Sequence, residues 1–482
     1  MPVTPYCNQL FQTRKDLYQF LSSCKHGSSE KDSFQIVSIS LEIDSVDPLV
    51  VLNEIADSNQ LNFYFERRDL ATGDGLRSQH IAIAAINSAI HLQVEGRDRF
   101  NQVKAFIQSI LATTIMAGDL HLPFSGPHFF CSFSFADNQS GQAFDSFPAA
   151  TVFLPSWQIS YYENRCTVVA NLAIDAKTDL EQTAGKVWHT LQKIRSVQYE
   201  LLNPITHHQG LFQKQDVTTT EHFKQAVRAA LESIQTDIFN KIVLAHAVDI
   251  VSPLSFDRVY SLNNLRRLYP DCYVFSISNG RGQHFIGASP ERLVCLQKQQ
   301  LVTDALAGSA PRGKTACEDA RLANTLLNST KEIHEHQVVI DFITRRLSQL
   351  GLMPQRSPLR LLQLSNIQHL HTPIWASVPA QVHLLDILAE LHPTPAVAGM
   401  PRELTCEHIR RYEPFERSLY AAPIGWVNHT GDGEFAVGIR SALIDGNRAR
   451  LFAGAGIVSG SDPDRELAEV QLKLQALLAA LV

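Results

Sequence analysis

Residues 241–251 read Lys-Ile-Val-Leu-Ala-His-Ala-Val-Asp-Ile-Val. Only Lys241, His246 and Asp249 interrupt a run of small and β-branched apolar side chains, the composition of a buried strand. Outward from it the pattern is mixed. Residues 273–277 and 293–296 read as two further strands, with the turn-forming Asn279-Gly280-Arg281-Gly282 between them. Residues 322–347 are strongly helical, 451–453 form a strand before a glycine-rich turn, and 464–481 make a closing helix. Upstream, 34–43, 80–86, 150–154 and 166–172 are strand-like, and a helix is expected over 97–113. The polar stretch 203–220 is the candidate linker, and Thr220 or a neighbour caps a helix running to Ile238. Strands and helices follow no strict βαβ order, so the expected class is α+β with large, mostly antiparallel sheets. A length of 482 residues suggests three domains at ~150 residues each. The uneven gaps between strands favour two halves folded together instead, 1–215 and 216–482.

Composition narrows the function. The chain is 45% hydrophobic and 19% charged, enough to bury a large core. Lys plus Arg number 42 and Asp plus Glu 48, a net charge of 42 − 48 = −6. That balance argues against a phosphate-tracking nucleic-acid surface, which needs a basic stripe. None of the eight cysteines is spaced as Cys-x-x-Cys, which fits a reducing compartment. No apolar run reaches the ~18 residues of a membrane span. The N-terminal segment has no signal-peptide core, so a cytoplasmic protein is expected. Room for a short transit peptide keeps the plastid stroma open.

Two helices carry paired carboxylates. Glu332 and Glu335, and again Glu466 and Glu469, are spaced three apart and so share a helix face. Lys473 extends the second stripe by four. If the faces met, four carboxylates would converge with little positive charge nearby, a setting for a hard divalent cation. Mg²⁺ takes one or two carboxylates directly and keeps waters elsewhere. Each pair alone is ordinarily a solvated face, and Ser329-x-x-Glu332 also fits a capping box. His334 and His336 flank Glu335 but point to different sides of a helix. Gly454 and Gly456 could offer backbone N–H groups to an anion, or simply make a tight turn. Arg440 sits in an otherwise apolar stretch, as an inward-facing, paired arginine would. Lys241 opens its apolar strand; buried there, its amine would be pushed toward the neutral, basic form.

These pieces arrive in a recognisable order: Lys241-Ile-Val-Leu-Ala, Ile286-Gly-Ala-Ser-Pro-Glu291-Arg-Leu, Asp304-Ala-Leu-Ala-Gly-Ser309, Lys331-Glu-x-x-Glu335-His, His392-Pro-Thr-Pro-Ala-Val-Ala-Gly399, Gly438-Ile-Arg440, Ala453-Gly-Ala-Gly-Ile457 and Glu466-x-x-Glu469-x-x-x-Lys473. The series resembles the chorismate-utilising enzymes, densely over about residues 216–482. It extends weakly into Phe63-Tyr-Phe-Glu66 and Pro127-His-Phe-Phe130. The resemblance implies two large, mostly antiparallel sheets packed inside outer helices around a central cleft. It implies Lys241 as general base and Glu291 as general acid. It implies Mg²⁺ as cofactor, on Glu335 and Glu469 directly and on Glu332 and Glu466 through water. Arg440, Lys473, Tyr420, the Gly454 backbone, Gly308 and Ser309 match groups around the substrate, and His392 is expected beside its ring.

Within that family, the residues resemble isochorismate synthases. Ala307 stands where aminodeoxychorismate synthases carry a nucleophilic lysine. Ala305-Leu306 and Pro395-Ala396 depart from the aminating members' motifs, so no glutamine-amidotransferase partner is implied. Ala396, Val397, Ile439 and Phe452 match an apolar lining, against the more polar pocket of salicylate synthases. The implied activity converts chorismate to isochorismate, adding water at C2 and losing the C4 hydroxyl, in a monomer. A salicylate synthase and a non-catalytic chorismate-binding protein are the alternatives. His246 replaces the family's usual arginine, and Ser309 its commoner threonine.

Overall fold

A computed structural model describes residues 13–26, 34–69, 79–137, 147–197, 212–365 and 367–481. The 241–251 stretch is the strand Lys241–Val251, buried along all but its last residue. It pairs throughout with Arg448–Val458, from Lys241 opposite Val458 to Val251 opposite Arg448. Buried on both faces, such a strand has no solvent side for alternating polar residues, which explains its near-continuous apolar run.

Hydrogen bonding continues from Arg448–Val458 through Ser441–Asp445, Gln283–Ser289, Tyr273–Asn279, Leu61–Asp69 and Gln79–Val94 to Ala150–Tyr162. There the sheet forks. The first residues of Ala150–Tyr162 pair with His128–Phe133 and the last with Arg165–Ile174. One branch runs on through Pro423–Asn428, Gly433–Val437, Arg292–Gln297 and Gln300–Pro311 to Ile367–Ser377. The other ends through Gln35–Ile43 on Thr114–Gly118, the one parallel pairing among the described strands. The result is the expected α+β architecture, with its two sheets continuous through a shared strand. They face each other: Phe63 of one lies 5.2 Å from Phe130 of the other, ring centre to ring centre.

Several local expectations change. A strand, Gln283–Ser289, stands between the two expected around 273–296, and the Asn279–Gly282 turn joins it to its neighbour. The helix over 322–347 is two helices, Ala316–Leu327 and Thr330–Gln349, because the Ser329 side chain accepts the Glu332 N–H and starts a second one. Glu332's own carboxylate takes the Ser309 N–H instead of closing a capping box. Thr219 caps the helix Thr220–Gln235, which ends short of Ile238. Gly454 and Gly456 form no turn: both lie inside Arg448–Val458, paired with Ala245 and Val243.

Residues 1–12, with Cys7, and 203–211 of the expected linker lie outside the described residues. Residues 215 and 216 both belong to the strand Gln213–Asp216, which pairs with Lys241–Val251. The other seven cysteines form no disulfide. Among the described residues, no helix is long and apolar enough to cross a membrane.

Candidate active site

The chain crosses from one sheet to the other at two neighbouring corners. Ser289-Pro290-Glu291 links Gln283–Ser289 to Arg292–Gln297, and Gly438-Ile439-Arg440 links Gly433–Val437 to Ser441–Asp445. The corners are bonded together: the Ala288 N–H donates to the Arg440 carbonyl and the Val437 N–H to the Glu291 carbonyl, both at 3.1 Å. Arg440 takes a left-handed φ of +50°, which turns the chain sharply. Both side chains line one cavity of about 880 Å³, counted with its open mouth.

Glu291 is 4% exposed. Burial, reinforced by Asp304 and opposed by Lys241, pushes its carboxyl up to about 8. It is therefore a protonated acid at neutral pH. Arg440 donates Nη2 to His369 Nε2 at 3.1 Å, and its buried Nη1 has no hydrogen-bond partner. Burial and the neighbouring Arg440 hold His369 well below the ordinary histidine range, so it is a neutral partner. The arginine keeps its full charge and one free donor for an anion.

At the other end stand the four glutamates. A bulge at Gly308, with φ +78°, shifts the register of Gln300–Pro311 and brings Ser309 to them. Ser309 Oγ donates to Glu469 Oε1 at 3.0 Å. Lys473 Nζ bonds Glu469 Oε1 and the Gly454 carbonyl, each at 2.8 Å. Lys331 Nζ sits 3.3 Å from Glu466 and 3.7 Å from Glu332. Lys241 Nζ is 2.7 Å from Glu335 Oε1, although not aligned as a hydrogen bond. Burial, with Glu335 and Glu469 close by, pushes Glu332 up to about 7. Burial also raises Glu466 against the pull of Lys331. For Glu469, Lys473 and Ser309 outweigh burial and lower it.

The glycines make this approach possible. A Cβ on Gly456 would stand 2.5 Å from Glu335 Oε1, and one on Gly454 would stand 2.9 Å from the Tyr420 hydroxyl.

Most of the expected site residues meet here. Glu291, Ala307, Gly308, Ser309, Glu332, Glu335, Ala396, Val397, Tyr420, Ile439, Arg440, Gly454, Glu466, Glu469 and Lys473 all line the cavity. Three do not. Lys241 is fully buried and pairs with Glu335, which lines the cavity. Phe452 is covered by Tyr420, stacked on it at 5.2 Å and 18°. His392 packs between Phe100 and Phe135, 6.4 and 6.0 Å away, with its Nε2 unpartnered; burial pushes it down to about 3.

Positive charge is also less scarce than expected, since lysines attend all four glutamates. The carboxylate oxygens still suit a hard divalent cation, and burial keeps two of them, Glu332 and Glu466, raised despite Lys331. Among the described residues, no three acidic, imidazole or thiol groups gather closely enough to form a ligand cluster.

The sequence pattern assigned no role to His369, Val243 or Leu306, which also line the cavity. Nor did it find the buried Glu413–Arg417 pair, in which Arg417 holds the Val243 and Val397 carbonyls at 2.8 Å. Its only sequence signal is the i, i+4 spacing of opposite charges.

Fold and site together define a large two-sheet α+β chain with an acid-lined central cleft. The family model described as chorismate binding enzyme matches residues 19–482, and the chain belongs to that family. It is 32% identical over 477 residues to the salicylate biosynthesis isochorismate synthase of Pseudomonas aeruginosa, covering 96% of this chain and 95% of that one. It is 30% identical over 466 residues to the isochorismate synthase MenF of Bacillus subtilis, covering 95% of each. Among solved structures, the menaquinone-specific isochorismate synthase MenF of Escherichia coli superposes with a TM-score of 0.75 at 25% identity. That match covers 97% of this chain and 99% of that one.

Proposed function

We propose that this chain is an isochorismate synthase, an isomerase that converts chorismate to isochorismate. The observation that carries the proposal is Glu291: a carboxyl buried at a corner beside the cavity, with its proton held up to about 8. Such a group can protonate a departing hydroxyl at neutral pH. Chorismate is a dianion. One carboxylate meets Arg440 Nη1, the free donor in the cavity, and Lys473 and Tyr420 also line the cavity. Glu335 and Glu469 would hold Mg²⁺ directly, and Glu332 and Glu466 through water. The ion would supply charge for the second carboxylate.

Lys241 takes a proton from the water that bonds to C2, while Glu291 gives its proton to the C4 hydroxyl as that C–O bond breaks. Water is consumed and released in equal amounts, so the net change is an isomerisation. Lys241 Nζ pairs with Glu335, so its role as base requires that contact to open with the amine in its neutral form. The apolar wall of Val243, Leu306, Ala307, Ala396, Val397 and Ile439 offers no group to drive a later elimination.

The test is chromatography of the products formed from chorismate with Mg²⁺, with and without ammonia. Isochorismate alone is expected. Salicylate with pyruvate, anthranilate, or saturable chorismate binding without turnover would each overturn the proposal.

A further inference from the structure

The two corners that carry Glu291 and Arg440 share one anchor in the facing sheet. The Tyr273 hydroxyl, on the strand Tyr273–Asn279, donates to Glu434 Oε1 at 2.8 Å and accepts from Arg292 Nε at 3.0 Å. Arg292 is the residue after Glu291. Glu434 lies on Gly433–Val437, the strand that runs into the Arg440 corner. The ring of Tyr273 is buried, as is Glu434.

Ion pairs extend the anchor in both directions. Arg67, from the same sheet as Tyr273, meets Glu434 Oε2 at 2.9 Å. Arg292 lies 3.6 Å from Asp304 Oδ2, and Asp304 Oδ1 is 2.8 Å from His371 Nε2. His371 Nδ1 in turn meets Arg360 Nε at 3.3 Å. None of Tyr273, Arg292, Asp304 and Glu434 lines the cavity. A buried network of this kind fixes geometry at a cost in desolvation, and it fails when one member is removed.

We propose that Tyr273 and Asp304 are positioning residues for the hydroxyl-protonating step: the Tyr273 hydroxyl pins the Glu291 and Arg440 corners to the facing sheet, and Asp304 holds Arg292 in that pin. The proposal rests on the isochorismate synthase reading of the site. A productive acid must sit within a few tenths of an ångström of its target, and misplacement of ~1 Å costs on the order of 10²-fold in rate. Tyr273 sets that distance because it is bonded at once to the residue after Glu291 and to the strand that runs into the Arg440 corner.

Asp304 has a second, electrostatic effect. The groups facing Glu291 are Lys241 on its strand, Asp304 on Gln300–Pro311 and Tyr420 after the Arg402–Tyr412 helix. Lys241 favours the ionised acid and Asp304 opposes it. Removing the Asp304 charge leaves Lys241 less opposed, so Glu291 loses its proton at lower pH.

The experiment measures kcat and KM for chorismate against pH in the wild type, Tyr273→Phe and Asp304→Asn. Thermal melting and circular dichroism report folding. Tyr273→Phe is expected to lower kcat by roughly 10- to 100-fold with KM within about threefold. Asp304→Asn is expected to move the alkaline limb of kcat downward by about one pH unit, which a purely structural loss would not do. A folded Tyr273→Phe with kcat within twofold of wild type overturns the pin. An unmoved alkaline limb in Asp304→Asn overturns the role of Asp304 and decides the matter if Tyr273→Phe does not fold. A wild type that makes no isochorismate refutes the functional reading instead, so the two failures are distinguishable.

Discussion

The cavity has two unlike ends. At the glutamate end a lysine attends every carboxylate: Lys241 on Glu335, Lys473 on Glu469, and Lys331 between Glu332 and Glu466. At the corner end Glu291 carries a proton with no ion-pair partner within reach, and Arg440 has a free nitrogen. Opposite charges cancel locally in the first region. In the second, burial without an ion-pair partner, reinforced by Asp304, holds Glu291 protonated against the pull of Lys241 and leaves Arg440 Nη1 a free donor. On the proposed reading, the unpaired Glu291 is the proton donor and the lysine-paired glutamates are the metal-binding groups.

The largest effects come from abolishing that contrast. Glu291→Gln keeps the shape but supplies no acidic proton, and kcat should fall about 10²–10⁴-fold with KM little changed. The same substitution should stabilise the protein. The Glu291 carboxyl binds its proton up to about pH 8 when folded but only to about 4.5 when unfolded, so folding stability is lost as pH rises through that window. Melting curves at pH 9 should therefore show Glu291→Gln well above wild type, by up to about 5 kcal/mol in order of magnitude. Lys241→Ala should remove hydration to a similar degree, with chorismate binding retained by calorimetry.

At the other end, Gly456→Ala would press a methyl against the Glu335 carboxylate. We expect kcat/KM to fall about 10- to 100-fold and the Mg²⁺ requirement to rise, read from activity titrations and from direct Mn²⁺ binding. With pH as the probe, wild-type kcat should decline above about pH 8 as Glu291 ionises. The smallest effect tests a residue that stands apart from both ends. His392→Phe should leave KM for chorismate within about threefold, because His392 is enclosed by Phe100 and Phe135. A loss of tenfold or more in KM would return it to the substrate site.

How much of this was legible in the sequence depended on the distance over which each feature is encoded. The strand Lys241–Val251 was readable to the residue, because burial on both faces writes itself into every position. The glutamate pairs were readable because helical spacing is local. The corners were not. Glu291 and Arg440 become neighbours only when two sheet crossings pack together, and no local period marks a chain that changes sheets. The strand Gln283–Ser289 was missed beside the turn that precedes it. Gly454 and Gly456 looked like a turn because glycine reports only that a Cβ is unwelcome. The reason, Glu335 and Tyr420 pressed onto the strand, comes from elements remote in sequence. Phe452 was expected on the cavity wall, and nothing local says that Tyr420 lies over it. His369 was overlooked for the same reason: its role is defined by Arg440, 71 residues away.

In the proposed reaction, solvent water enters at C2 while the C4 hydroxyl departs on the proton of Glu291. The direct measurement is the initial reaction of chorismate with Mg²⁺ in ¹⁸O-enriched water, with the isochorismate analysed by mass spectrometry. One ¹⁸O per product, located at C2, is the result expected. Unlabelled isochorismate would mean that the original hydroxyl migrates, and it would contradict both the base role of Lys241 and the acid role of Glu291.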